Sequence, residues 1–167
     1  MSTLIEIKTK DNIIDLLPEK TIPAHNFSSF ELLKMEKEIL GIYAQKHPLT
    51  LYREKLTSRR KRGQILIQSH HIGQLRSGQP ILIAGLLIQV RRQFTVNRQV
   101  MAFLLLEDES GLFEAIAFPE AFQHYFSLLV KEELLIIKGK ISDKNSEEKI
   151  IIQEIKNLYS YLEENRL

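Results

Sequence analysis

Three acids follow one another at Glu107, Asp108 and Glu109, between the apolar runs VMAFLLL and LFEAIAF, and Gly111 closes the knot. Such a cluster invites a metal or acid/base reading. Two-metal phosphoryl chemistry needs carboxylates that converge on ions about 3.5 to 4 Å apart, whereas neighbours on one strand point to opposite faces. Glu107 and Asp108 therefore diverge, Glu109 falls in the turn, and Asp108 reads as a turn former accepting backbone N–H groups across the DESG hairpin. The five histidines add no ligand set. His70 and His71 are adjacent and in a strand would part to opposite faces, while His25, His47 and His124 stand alone. The chain has no cysteine, and a nucleophile elbow, a P-loop and GxGxxG are also missing. The expectation is a protein with no catalytic residues, no metal and no cofactor.

Cations and aromatics suggest a different chemistry. The chain holds 23 Lys or Arg against 21 Asp or Glu, a net charge of +2. Their distribution is lopsided: Lys55 to Leu106 carries nine basic residues and no acid. Clustered cations attract phosphate, whereas interspersed ones largely cancel. Arg59, Arg60, Lys61 and Arg62 run consecutively with no apolar position among them, which reads as an exposed basic loop. RRQFTVNRQ sets Arg91, Arg92 and Arg98 around Phe94, a mixture suited to a mobile flap over a nucleic-acid strand, rings stacking bases and cations following phosphates. Lys138 and Lys140 alternate onto one face of a strand, and Lys144 sits in the polar loop after it.

The elements that must position these residues are legible from periodicity. From Met1 to Asn26 the pattern is weak, with a short helix near Asp11 to Leu17. Ser28 then stands three residues before Glu31, a capping box that starts a helix. Its Leu32, Met35 and Ile39 recur at helical spacing and are expected to be covered, leaving Lys34, Lys37 and Glu38 to water. Pro48 ends that run, and a short helix is expected over Leu51 to Leu56. A strand-like ILI follows, then turns at Gly73 and Gly78. From Pro80 the period becomes two. PILIAGLLIQVRRQ is a long strand whose Gly85 would permit a bend or bulge; VMAFLLLED and LFEAIAF are the next two, joined by DESG. PEAFQHYFSLLV opens on proline and reads as one amphipathic helix; ELLIIKGKI and KIIIQEI are the last strands.

Three strands, a helix and two strands in about 78 residues match a five-stranded Greek-key OB barrel with its helix between strands three and four. The fold class is mainly β, with a small helical module in front. The expected domains are an extension and helical module over 1–57, a basic linker over 58–78, the OB domain over 79–158 and a tail over 159–167. Alternation turns Ala102, Leu104 and Leu106 inward with Phe113, Ala115 and Ala117. It leaves Met101, Phe103, Leu105, Leu112, Glu114 and Ile116 outward. Phe103 is then the expected base-stacking residue, Leu105 its neighbour, and Glu114 a group able to accept from a base edge.

EKEILGIYAQKHPLTLY, Glu36 to Tyr52, resembles the segment preceding the OB domain of the bacterial DNA polymerase III alpha subunit. MAFLLLEDESGLFEAIAFPEAF resembles that family's second strand, hairpin and third strand, and LLIIKGKI its fourth. The likeness runs from about Leu33 to Leu158. It departs at AQKHP, where the family has SGHP, and at Leu105, where it commonly has threonine. The resemblance implies a non-catalytic domain for single-stranded DNA, with RNA as the alternative ligand and polymerase III holoenzyme subunits as candidate protein partners. No apolar run reaches the roughly 20 residues of a membrane span, and no basic-then-apolar leader opens the chain, so the expected compartment is the cytoplasm.

Overall fold

The computed structural model describes residues 29–40, 46–142 and 147–166. The readings at Asp11 to Leu17, at His25, at the Ser28–Glu31 capping pair and at Lys144 lie outside these described residues and side chains. In chain order the elements are α1 (Ser29–Leu40), a 3-10 turn (Pro48–Tyr52), α2 (Arg53–Arg59), β1 (Leu66–Ile67), a 3-10 turn (Ser69–Gln74), β2 (Pro80–Phe94), β3 (Val100–Asp108), β4 (Gly111–Ala117), α3 (Pro119–Tyr125), a 3-10 turn (Phe126–Leu128), β5 (Leu134–Ser142), β6 (Lys149–Asn157) and α4 (Leu158–Glu164).

Strands β2 to β6 close on themselves in the order β2-β3-β4-β6-β5, with β5 returning to β2. Only β4 and β6 run parallel among these five, through Ala115↔Ile150 and Ile116↔Ile151. The short β1 is a sixth strand, added parallel to the start of β2 at Leu66↔Leu82 and Ile67↔Ile83. This is the closed five-stranded barrel that the strand–helix order predicts, and closure removes the open edges that a sheet would otherwise expose.

Period-two alternation fills the barrel. Ala102, Leu104 and Leu106 of β3 meet Phe113, Ala115 and Ala117 of β4 inside, with Ile83, Leu87, Leu135, Ile137, Ile150 and Ile152 from the other strands. Two glycines permit the tight packing. A Cβ on Gly85 would fall 2.7 Å from Phe113 Cζ, and one on Gly139 would fall 2.5 Å from the Ile151 carbonyl oxygen. Gly85 therefore clears room for the Phe113 ring and does not make a bulge. The register shift in β2 comes later, between Leu87 and Gln89.

A second apolar cluster lies outside the barrel. Leu82, Ala84 and Leu86 of β2 with Leu134 and Ile136 of β5 are covered by Leu49, Leu56, Leu158, Tyr161 and Leu162. Each large aliphatic side chain buried here contributes about 1.5 to 3 kcal/mol relative to exposure. The segment 58–78, read as a linker, carries β1 and a 3-10 turn whose Ile67 and Ile72 enter the barrel core. The segment 159–167, read as a tail, holds most of α4, whose Tyr161 and Leu162 are buried. Their apolar residues are too scattered along these short segments to show a period.

Three further expectations are corrected. The helix after β4 ends at Tyr125 and tightens to a 3-10 turn. The helix expected over Leu51 to Leu56 begins as a 3-10 turn at Pro48 and becomes α-helical from Arg53. In α1 the face expected to be covered is open, with Leu32 54% and Ile39 63% exposed, while Lys34 forms a surface ion pair with Glu132 at 3.6 Å. Helical spacing identifies a stripe without saying what covers it. No helix among the described residues is long and apolar enough to cross a membrane.

Candidate nucleic-acid interface

Among the described residues, the apolar cover outside the barrel lies over β2 and β5, away from the outward face of β3 and β4. One level across it reads Arg91, Phe103, Ile116, Ile151, aligned by the pairings Arg91↔Phe103, Phe103↔Ile116 and Ile116↔Ile151. Phe103 is half-buried, with the Arg91 guanidinium carbon 4.7 Å and Lys149 Nζ 5.6 Å from its ring centre. Cations over an aromatic face are attracted by its quadrupole. Here they also set positive charge beside a ring that a base could stack on.

Lys149 lies 3.0 Å from Glu114 and 2.7 Å from Glu147. Hydrogen bonds from the ammonium to Glu147 and then Glu114 hold its pKa above the ordinary lysine value. Leu105 pairs with Gln89 on one side and Glu114 on the other, and Leu112 is 60% exposed at the far end of the face. Lys149 and Ile151 were missed from sequence. The signal was there in KIIIQEI: with Ile150 and Ile152 inward, Lys149 and Ile151 must point out, but only the parallel closure of β4 on β6 brings them beside Phe103.

The other arginines go elsewhere. RRQFTVNRQ is not a flap from Arg91 onward, because β2 and β3 stay paired out to Phe94↔Val100 and the turn begins at Thr95. Arg91 and Arg92 are therefore on opposite faces. Arg92 lies 5.7 Å from the Phe122 ring centre of the helix side, and Phe94, of the same parity, is 72% exposed. Arg98 is exposed in the turn with φ at +59°.

Lys138 and Lys140 are exposed on β5, where Lys140 continues the Phe103 level one strand beyond Ile151. Lys140 pairs with Ile151 and Pro80, and Lys138 with Glu154 and Leu82. The run Arg59 to Arg62 is not a uniform loop. Arg59 ends α2 and donates from Nη1 to the Leu162 carbonyl at 2.8 Å, and Arg60 reaches the Gln64 carbonyl at 3.4 Å. Lys61 and Arg62 remain exposed.

The acidic knot is a structural lock. Asp108 is 2% exposed, and its carboxylate accepts from Ser69 N at 2.6 Å, Ser69 Oγ at 2.7 Å, Ser110 N and Oγ at 2.8 Å and Gly111 N at 3.1 Å. Burial opposes its ionisation, but these donors outweigh it and hold the pKa below the ordinary value. Glu109 accepts from Arg53 Nε at 3.0 Å, tying α2 to the hairpin. His70 and His71 are in a 3-10 turn, not a strand, and their rings approach to 3.7 Å between centres. Among the described residues no three metal-ligating side chains gather.

This geometry agrees with what comparison finds. The family described as an OB-fold nucleic acid binding domain matches residues 81–158. Those residues form an OB-fold domain. The alpha subunit of DNA polymerase III from Bacillus subtilis is 35% identical over 121 residues, 72% of this chain and 10% of that protein. The alpha subunit from Staphylococcus epidermidis is 27% identical over 166 residues, 93% of this chain and 14% of its own length. The resemblance to this subunit is therefore real and reaches beyond the OB domain into the helical module. The chain spans about a tenth of the length of these curated relatives. Among solved structures, a mitochondrial single-stranded DNA binding protein from S. cerevisiae aligns at 11% identity with a TM-score of 0.42, covering 50% of this chain and 96% of that one.

Proposed function

We propose that this chain binds single-stranded DNA across the outward face of β3 and β4 and performs no catalysis of its own. The observation that carries this is the Arg91–Phe103–Lys149 cluster, a ring flanked by two cations on the outward face of β3 and β4, away from the residues that cover β2 and β5. Bases stack on Phe103, Arg91 and Lys149 follow the phosphates, and Leu105 and Ile116 widen the platform. Its curated relatives being polymerase alpha subunits supports a place in DNA synthesis.

Fluorescence anisotropy with labelled oligo-dT tests this at low and moderate salt. Binding should weaken steeply as salt rises. Phe103→Ala should lower affinity by roughly 5- to 150-fold, the equivalent of one stacked base. No binding at low salt would sink the proposal, and a preference for oligo-rU would move it to RNA.

The exposure of Leu112 beside Leu105 and Ile116 favours a second reading, in which the face docks a protein such as another polymerase III holoenzyme subunit. Such an apolar interface would survive salt that releases a nucleic-acid strand.

A further inference from the structure

The β2–β3 hairpin runs on past the barrel. Beyond Ala102, which is fully buried in the core, the ribbon continues through Gln93↔Met101 and Phe94↔Val100. A held turn caps it: Thr95 N donates to the Gln99 carbonyl at 2.8 Å, Arg98 N to the Thr95 carbonyl at 2.9 Å, and Gln99 N to Thr95 Oγ1 at 3.2 Å. At the apex Val96 is 101% exposed, and Phe94 beside it is 72% exposed. Two apolar side chains are thus held in water, with Arg92 on the face of Phe94 and Arg98 in the turn, in the 52-residue block that contains no acid.

Strand parity gives this ribbon two faces with the same chemistry. One carries Arg91 over Phe103, and the other carries Arg92 over Phe122 with Phe94 beyond it. A strand lying on Phe103 cannot also stack on Phe94. That ring is on the opposite face and three residues along, about 10 Å away. Phe94 must serve a different length of nucleic acid.

We propose that the ribbon is a strand-parting pin for forked nucleic acid. One unpaired arm follows the Arg91–Phe103 face, the other follows Arg92 and Phe94, and Val96 abuts the last base pair. Apolar wedges that insert at a base step recover the hydration penalty of their exposure, and flanking arginines neutralise the phosphates drawn close. The proposal rests on the nucleic-acid reading above and adds a ligand geometry to it.

The test compares three labelled DNAs by anisotropy at one salt concentration: a fork with two unpaired thymidine arms, an oligo-dT strand as long as one arm, and the blunt duplex. The fork should bind at least about five-fold tighter than the strand, the effect of roughly one added stack. The variant Val96→Ser should erase that preference while oligo-dT affinity stays within about two-fold, since this side chain is at the apex and on neither stacking ring. A 2-aminopurine at the last base pair should brighten with the native chain and stay quenched with the variant. Equal binding of fork and strand by the native chain overturns the pin and leaves the single-strand reading standing. Retention of fork preference by the variant also overturns it. Binding of none of the three DNAs removes both.

Discussion

Lys149 Nζ lies 3.0 Å from the Glu114 carboxylate, so one of the two cations flanking Phe103 is already engaged by an acid on the neighbouring strand. A phosphate arriving at this ring must displace that carboxylate. Glu114→Gln should therefore raise oligo-dT affinity about two- to five-fold and steepen the dependence on salt by up to about one counterion. A salt series by anisotropy measures both. A loss of affinity in this variant would instead mean that Glu114 accepts a hydrogen bond from a base.

The Asp108 network predicts acid sensitivity. Asp108 and Glu109 both have pKa values below their ordinary 3.8 and 4.5, in each case because hydrogen bonds to the carboxylate outweigh desolvation. A depressed carboxylate pKa stabilises the fold above the unfolded value and loses that contribution as pH falls through the folded one. His47 has the same sign. Burial holds its pKa below 6.5 against the pull of Glu107, Glu109 and Asp108, so its contribution is present above that value and fades below it. Stability measured by urea unfolding should fall in two stages on acidification, the first below pH 6.5 and the second below about 4. Asp108→Asn should cost about 2 to 4 kcal/mol at neutral pH and flatten the lower stage, since the ring of donors is left facing a neutral group.

Gly139 supplies a packing prediction. An added Cβ would meet the Ile151 carbonyl oxygen at 2.5 Å and Ile150 Cγ2 at 2.8 Å, at the point where β5 and β6 shift register. Gly139→Ala should destabilise the barrel by about 1 to 3 kcal/mol, read as a lower urea midpoint at unchanged slope. An unchanged midpoint would mean that β6 can slide to accept the methyl group.

The barrel was readable because its signal is local. In VMAFLLL and LFEAIAF successive side chains part to opposite faces, so once Leu104 and Ala115 are inside, Phe103 and Glu114 must be outside. What brings Lys149 to Phe103 is not local. β4 and β6 are separated in sequence by a helix and a strand, and only closure makes Ile116 and Ile151 neighbours. Turn length was misjudged for a related reason: RRQFTVNRQ is polar enough to read as a loop, yet Arg91 to Phe94 are held by a full set of strand partners. Once Arg92 is on a strand beside Arg91, parity decides its face, and two adjacent arginines part company. In α1 the periodicity was legible, but burial depends on a neighbour that the spacing does not name.

The second apolar cluster makes the unit of folding larger than the unit of binding. The family match ends at residues 81 and 158, yet Leu49, Leu56, Tyr161 and Leu162 from beyond those limits seal the outside of β2 and β5. Cut at those limits, the barrel would keep every residue of the proposed binding face while baring an oily wall of Leu82, Leu86, Leu134 and Ile136. Moved without its helical roof, such a barrel needs another apolar surface to cover that wall.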